Sequence, residues 1–253
     1  MRQRLNVREY GGQGMIETSS IFLCYNRLDL TKWSLEALFK YTTFDEKNIL
    51  TIIDNNSTDG TREWLVKQNW PFVDIILNKN ETGAVKAANQ GMRRVHAKYY
   101  ILLQNDMRVI PHWRDYLLTA ANMDERIGIV GLDQEEIVKG RDGATGNEGV
   151  YDVPFVGTVC TLIKDELVRD IGYFDEDFDY HDCDDVEYCY RARIYGWRVV
   201  WVTWAFIKDH LRAATNRWGV NPKWRPGHKI WLQKKAKWDR LLAEGKIKGR
   251  WRP

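Results

Sequence analysis

Apolar residues fall along this chain in short runs, separated by longer stretches where they recur at helical spacing. Ser20-Ile21-Phe22-Leu23-Cys24-Tyr25 has strand length and stops at Asn26-Arg27; after it Leu30, Trp33, Ala37, Leu38 and Tyr41 line one helical face. The alternation continues with a strand from Ile49 to Ile53, a helix through Trp64 and Leu65, and a strand from Phe72 to Leu77. A helix carrying Ala84, Ala87, Ala88, Gly91, Met92 and Val95, a strand from Tyr99 to Leu103, and a helix from Trp113 to Met123 behind Pro111 come next. Further on, Val153 to Ile163 reads as strand, Lys164 to Ile171 and Asp184 to Tyr195 as helices, and Arg198 to Val202 as strand. Strand and helix in turn predict an α/β fold, a single mainly parallel sheet covered by helices, with ligands at the carboxyl ends of the strands. The run Lys139 to Gly149 is too glycine-rich for a regular element and is expected to be a loop, either a mobile one near the site or a plain surface loop.

Length and charge refine this picture. The 253 residues suit one large domain with appendages: an N-terminal extension over 1–17, a catalytic domain over 18–210 and an extension over 211–253. Net charge is only +3, but 211–253 carries thirteen basic residues against Asp239 and Glu244, a net +11 that leaves −8 for residues 1–210. Trp224, Trp231 and Trp238 are spaced by seven, and Trp231, Trp238, Leu241 and Leu242 fit one helical stripe with Lys234, Lys235, Lys237 and Arg240 around it. Such a basic, tryptophan-rich extension suits packing on the domain, a nucleic acid or an anionic membrane face. No apolar run approaches the roughly 20 residues that span a bilayer, and Met1–Met15 has no apolar signal core, so a cytoplasmic location is expected. Cys24, Cys160, Cys183 and Cys189 form no CxxC pair and read as inert thiols.

Carboxylates mark three stations. Asp54-Asn55-Asn56-Ser57-Thr58-Asp59-Gly60-Thr61 follows the second strand directly, Asp106 follows the strand ending at Leu103, and Asp184-Asp185 opens a helix. Acids at strand ends can accept a base N–H, hold a divalent ion and take a proton. Taken alone, Asp54-Asn55 also fits a turn or helix cap, and Asp184-Asp185 fits acidic capping of its helix.

These stations, together with Cys24-Tyr25-Asn26-Arg27, Asn80-Glu81-Thr82-Gly83-Ala84-Val85-Lys86-Ala87-Ala88-Asn89-Gln90-Gly91, Leu102-Leu103-Gln104-Asn105-Asp106, Gly172-Tyr173-Phe174-Asp175-Glu176-Asp177-Phe178 and Asp184-Asp185-Val186-Glu187 with Arg191 and Gly196-Trp197, resemble the family 2 glycosyltransferases of GT-A fold. They stand in that family's order over roughly residues 20 to 210. The resemblance implies that Tyr25, Asn26, Arg27, Asp54, Asn56 and Asn105 surround the donor nucleotide, with Asp54 on the base and Gly83 and Lys86 at the diphosphate. It implies that Asp106 and His210 bind Mn2+ or Mg2+, and that Asp185, beside Asp184, is the catalytic base of a direct, inverting displacement from a nucleotide-diphosphate sugar such as a UDP-sugar. Gln104 stands where the family usually carries the first acid of its metal motif, which leaves one firm carboxylate. The expected acceptor is a glycan hydroxyl. Two alternatives are a hydroxymethylated base in viral DNA, reached through the basic extension, and a nucleotide-sugar-binding protein with weak turnover.

Overall fold

The computed structural model describes residues 15–134, 149–178, 183–207 and 226–247. Among them, eight strands form one sheet: β1 Ile16–Cys24, β2 Asn48–Asp54, β3 Val73–Leu77, β4 Ala97–Gln104, β5 Ile127–Gln134, β6 Val150–Asp152, β7 Cys160–Lys164 and β8 Arg198–Ile207. Their order is β3-β2-β1-β4-β7-β5-β8-β6. β3, β2, β1 and β4 run parallel, as do β5 and β8; β7 is antiparallel to both β4 and β5, and β6 closes the far edge antiparallel to β8. The sheet is therefore mostly parallel, as the alternation of elements predicts.

Seven helices are described: α1 Leu28–Tyr41, α2 Thr61–Leu65, α3 Gly83–Arg94, α4 Trp113–Met123, α5 Asp165–Ile171, α6 Asp184–Ile194 and α7 Pro226–Ala243. Successive strand residues point to opposite faces, so the central strands feed two cores. Phe22, Leu50, Ile52, Ile101 and Leu103 pack with Leu35 and Leu38 of α1 and with Trp113 and Leu117 of α4. Ile21, Ile53, Tyr100, Leu102 and Ile163 pack on the other face with α3, α5 and α6. Burial of both faces explains why these strands read as continuous apolar runs.

Three sequence expectations are corrected. Only Cys160–Lys164 of the run Val153–Ile163 is strand; Pro154 has no N–H for a ladder, and 153–159 forms a loop instead. Ile127–Gln134 is a central strand that apolar alternation does not pick out, because Gly128 and Gly131 interrupt it. Both glycines are required by packing, since a Cβ at Gly131 would stand 2.6 Å from Val156 Cβ and one at Gly128 2.3 Å from Leu167 Cδ1. β8 also runs on past Val202 to Ile207, with a register shift opposite Leu132 and Asp133. The glycine-rich run 139–149 lies outside the described residues except Gly149, which exchanges hydrogen bonds with Thr203.

Within the basic extension, α7 packs against α6. Trp231 meets Tyr190 edge-on at 5.2 Å between ring centroids, and Lys234 bridges Asp175 at 2.6 Å and Asp177 at 2.5 Å. Part of the positive charge is thus taken up by acids of the domain. Trp224 lies outside the described residues. No helix among the described residues is long and apolar enough to cross a membrane. Cys24, Cys160 and Cys189 are buried, and desolvation pushes all three thiols up, as expected of inert cysteines.

Candidate active site

The carboxyl ends of β1, β2 and β4 lie side by side, and side-chain amides tie their loops together. Asn26 and Arg27 leave β1 with φ of 52° and 58°, the left-handed region in which asparagine is the least strained of the larger residues. Asn26 N donates to Ser57 Oγ at 2.7 Å, and its Oδ1 accepts from Thr58 N at 2.8 Å. From β4, Asn105 Nδ2 donates to Asn26 O at 3.2 Å and to Thr31 Oγ1 at 2.9 Å. Asp59 accepts from the amides of Leu28 and Thr61 and from Thr61 Oγ1, joining the starts of α1 and α2. Partial burial pushes the Asp59 carboxyl up, but these hydrogen bonds outweigh it and hold the group below its usual range.

Asp54, the last residue of β2, is fully buried. Its Oδ2 accepts from Ser57 N at 3.2 Å and pairs with Arg62 Nη1 at 3.1 Å, whereas its Oδ1 is buried with no hydrogen-bond partner. A buried acceptor in this state calls for a donor. The atom is closed to solvent. Arg62, which the sequence reading does not single out, also donates to Asn56 Oδ1 at 3.3 Å and to Asn78 O at 2.5 Å. Asn56, with φ of 71°, therefore serves the arginine, and the arginine serves Asp54.

Asn55 turns the other way and organises the start of α3. Its Oδ1 accepts from Asn78 Nδ2, Thr82 N and Thr82 Oγ1, and its Nδ2 donates to Gly83 O at 3.3 Å. Gly83 adopts φ of +77°, which a side chain would strain, and the helix it opens has no side-chain cap. Its first N–H groups and positive dipole end face the strand-end side, a setting suited to phosphate. Lys86 is exposed in the first turn, Tyr25 is half-buried, and Arg27 is exposed and paired with Asp29 at 3.3 Å.

Asp106 is buried two residues past β4. Among the described residues no group of three or more His, Cys, Asp or Glu gathers in a metal-ligating cluster. Asp106 is the described carboxylate of the expected metal pair, and His210 lies outside the described residues. One carboxylate fits a divalent ion held largely through substrate phosphates.

Asp184 and Asp185 form the start of α6 and are both half-buried. A Cβ placed on Gly157 would lie 3.8 Å from Asp185 Oδ2. Two residues on, Val159 O accepts from Gln104 N at 3.2 Å, so the 156–159 loop touches both the end of β4 and Asp185. α3 is fastened to the same region by Asn89, which is fully buried and exchanges hydrogen bonds with the backbone of Phe174 and donates to Glu176. Hydrogen bonds from Asn89 and Arg93 hold the Glu176 carboxyl below its usual range. A cleft of about 620 Å³ bordered by Tyr190, Arg193, Trp197 and Leu242 lies at the opposite end of α6 and contains none of these acids.

Comparison with known proteins bears on the family and the fold. The model of the family described as Glycosyl transferase family 2 matches residues 19–170. Poly-beta-1,6-N-acetyl-D-glucosamine synthase of Staphylococcus aureus (strain MSSA476) is 23% identical over 255 residues, covering 90% of this chain and 58% of the synthase. The Staphylococcus epidermidis synthase is 19% identical over 241 residues, covering 85% and 55%. The chain thus spans a little over half the length of the curated relatives it matches. Among solved structures, S. aureus TarS 1-349 in complex with UDP-GlcNAc superposes with a TM-score of 0.67 at 15% identity, covering 90% of this chain and 71% of that one. The mannosyltransferase PcManGT from Pyrobaculum calidifontis, in complex with GDP-Man and Mn2+, gives 0.62 at 16% identity, covering 98% and 71%. The fold is GT-A, and with a family match over more than half its length the chain belongs to glycosyl transferase family 2.

Proposed function

We propose that this chain transfers a sugar from a nucleotide-diphosphate donor to a hydroxyl of an acceptor glycan, with inversion at the anomeric carbon. The observation that carries the reading is the buried, unsatisfied Oδ1 of Asp54, set among three cross-tied strand-end loops and beside the uncapped start of α3. A uracil-like imide N–H satisfies that oxygen, and the ion pair with Arg62 holds the carboxylate in place. The first amides of α3 and Lys86 meet the diphosphate. A divalent ion, bound by Asp106 with His210 as its second expected ligand, would supply positive charge to the leaving diphosphate. Asp185 takes the acceptor proton as the hydroxyl oxygen bonds to the anomeric carbon; the bond from that carbon to the phosphate oxygen breaks, and its electron pair leaves with the nucleotide.

The relatives make UDP-N-acetylglucosamine the first donor to test, since the matched synthases are named for poly-N-acetylglucosamine and the TarS complex contains UDP-GlcNAc. UDP release from that donor should require Mn2+ or Mg2+, and Asp185→Asn should lower turnover about 10²-fold or more while leaving UDP affinity intact. Tight UDP binding without turnover on any nucleotide sugar would favour the binding-protein alternative. No binding of UDP or GDP, with or without metal, would overturn the proposal.

A further inference from the structure

We infer that α7 is a clamp that positions the acidic start of α6, with Trp238 as its positioning residue. The inference deepens the reading of Asp185 as the base and rests on it. Trp238 Nε1 donates to Glu187 Oε1 at 2.9 Å, from α7 into the first turn of α6. Glu187 is fully buried and stands three residues after Asp184, on the same helical face. Its carboxylate is already satisfied by Arg191, which reaches it with Nε at 3.0 Å and Nη2 at 2.8 Å. The extra donor from α7 is therefore not needed to neutralise a charge, and what it adds is a fixed distance between two helices.

The same arginine continues the connection. Arg191 Nη1 donates to Ile171 O at 2.5 Å and Nη2 to Tyr173 O at 3.0 Å, which fixes the segment that leads to Asp175 and Asp177. Those two carboxylates hold Lys234, four residues before Trp238 on α7. The ring closes on itself: α7 grips α6 after its acidic start and the 175–177 segment before it. Tyr190 Oη adds a hydrogen bond to Asp239, joining a residue three past Glu187 on α6 to the one next to Trp238 on α7. α6 can then neither rotate nor slide against the 156–159 loop that borders Asp185. Displacing a catalytic group by about 1 Å costs on the order of 10² in rate, so a helix held this way is held where the base must be.

Trp238→Phe tests the clamp, because it keeps an aromatic ring on α7 near Arg191 while removing the N–H together with part of the indole's bulk. The expected result is a fall of about tenfold in kcat for UDP release from UDP-N-acetylglucosamine with Mn2+, a donor KM within about twofold of wild type, and amide exchange in the first turn of α6 about tenfold faster with α1 unchanged. Lys234→Gln, which opens the ring at its other joint, should give the same split if Trp238→Phe does not fold. An unchanged kcat, a donor KM that rises in step with the loss of kcat, or unaltered exchange in α6 would overturn the clamp. If wild type releases no UDP from any nucleotide sugar, the transfer reading fails, and exchange at α6 alone decides whether α7 holds that helix.

Discussion

Replacing Arg191 by methionine isolates a buried ion pair of α6. The Arg191–Glu187 pair is bidentate, with side chains 7% and 0% exposed. Arg191→Met leaves the Glu187 carboxylate in a closed site with Trp238 Nε1 as its remaining donor, and strips donors from Ile171 O and Tyr173 O. Breaking a buried pair from one side costs about 3–5 kcal/mol. A domain of this size holds about 5–15 kcal/mol in total, so the variant should lose a large fraction of its stability. At about 2–4 °C per kcal/mol, the melting temperature should fall by roughly 6–20 °C. Urea denaturation followed by far-UV circular dichroism measures the loss, with an unchanged m-value indicating that the same surface unfolds. The double variant Glu187→Leu/Arg191→Met removes both charges and should recover most of the loss, because the single variant is penalised chiefly for its stranded carboxylate. A loss below about 1 kcal/mol for Arg191→Met, or a double variant no more stable than the single one, would refute this account.

Further predictions concern the donor side and pH. Gly91→Ala puts a Cβ 2.4 Å from Ile21 Cγ2 and 3.1 Å from Ile53 Cδ1, so it should cost about 1–3 kcal/mol in urea denaturation, with part restored by Ile21→Val. Asp54→Asn keeps the shape but loses the charged acceptor, and calorimetry should show UDP binding weakened by about 1.5–3 kcal/mol; equal affinity would remove Asp54 from base recognition. Asp124 is held below its usual range by hydrogen bonds from Arg126 and Arg198, Asp152 by Arg198, and Asp239 by Lys235 and Tyr190; for Asp175, burial pushes up but Lys234 more than offsets it. These depressed carboxyls contribute stability that is present above their unfolded range near 4 and is lost as pH falls through their folded values. Arg198 is raised chiefly by hydrogen bonding to Asp152, and Lys234 is raised by Asp175 and Asp177 against the opposing effect of burial, so their contributions are present below the unfolded range and lost only in strong alkali. Melting temperature should stay level from about pH 5 to 9 and drop below about pH 4.

The sequence reads well where one local signal suffices. Helices Trp113–Met123, Asp165–Ile171 and Asp184–Ile194 begin and end within a residue of expectation, because proline, acidic first turns and 3.6-residue spacing are local features. Ile127–Gln134 is hidden because its glycines answer to Val156 and Leu167, residues distant in the chain. Strand direction is hidden too, since nothing in Cys160–Lys164 says which way it runs. In the site, the motif order singles out Asp54 and Asp185, but it leaves Arg62 and the amide work of Asn55 unseen, because each acts on a neighbour's side chain. The charge count of the basic extension misleads in part: Lys234 and Lys235 are occupied by Asp175, Asp177 and Asp239, and a linear tally says nothing of where the acids sit.

The reversed strand β7 bears on how the chain assembles during synthesis. β1, β2 and β3 pair only among themselves and with β4, and the four strands span residues 16–104, so this half of the sheet is made early. β5 is made next, yet it does not pair with β4; the place between them is filled by β7, which ends at Lys164. Until about sixty further residues have left the ribosome, β4 presents an open edge of buried, apolar sequence, and β5 has neither of its sheet partners. Unpaired edges of this kind invite pairing with other chains. Truncations ending between Gln104 and Lys164 should therefore associate or require a chaperone, whereas chains that include β7 and β8 should not.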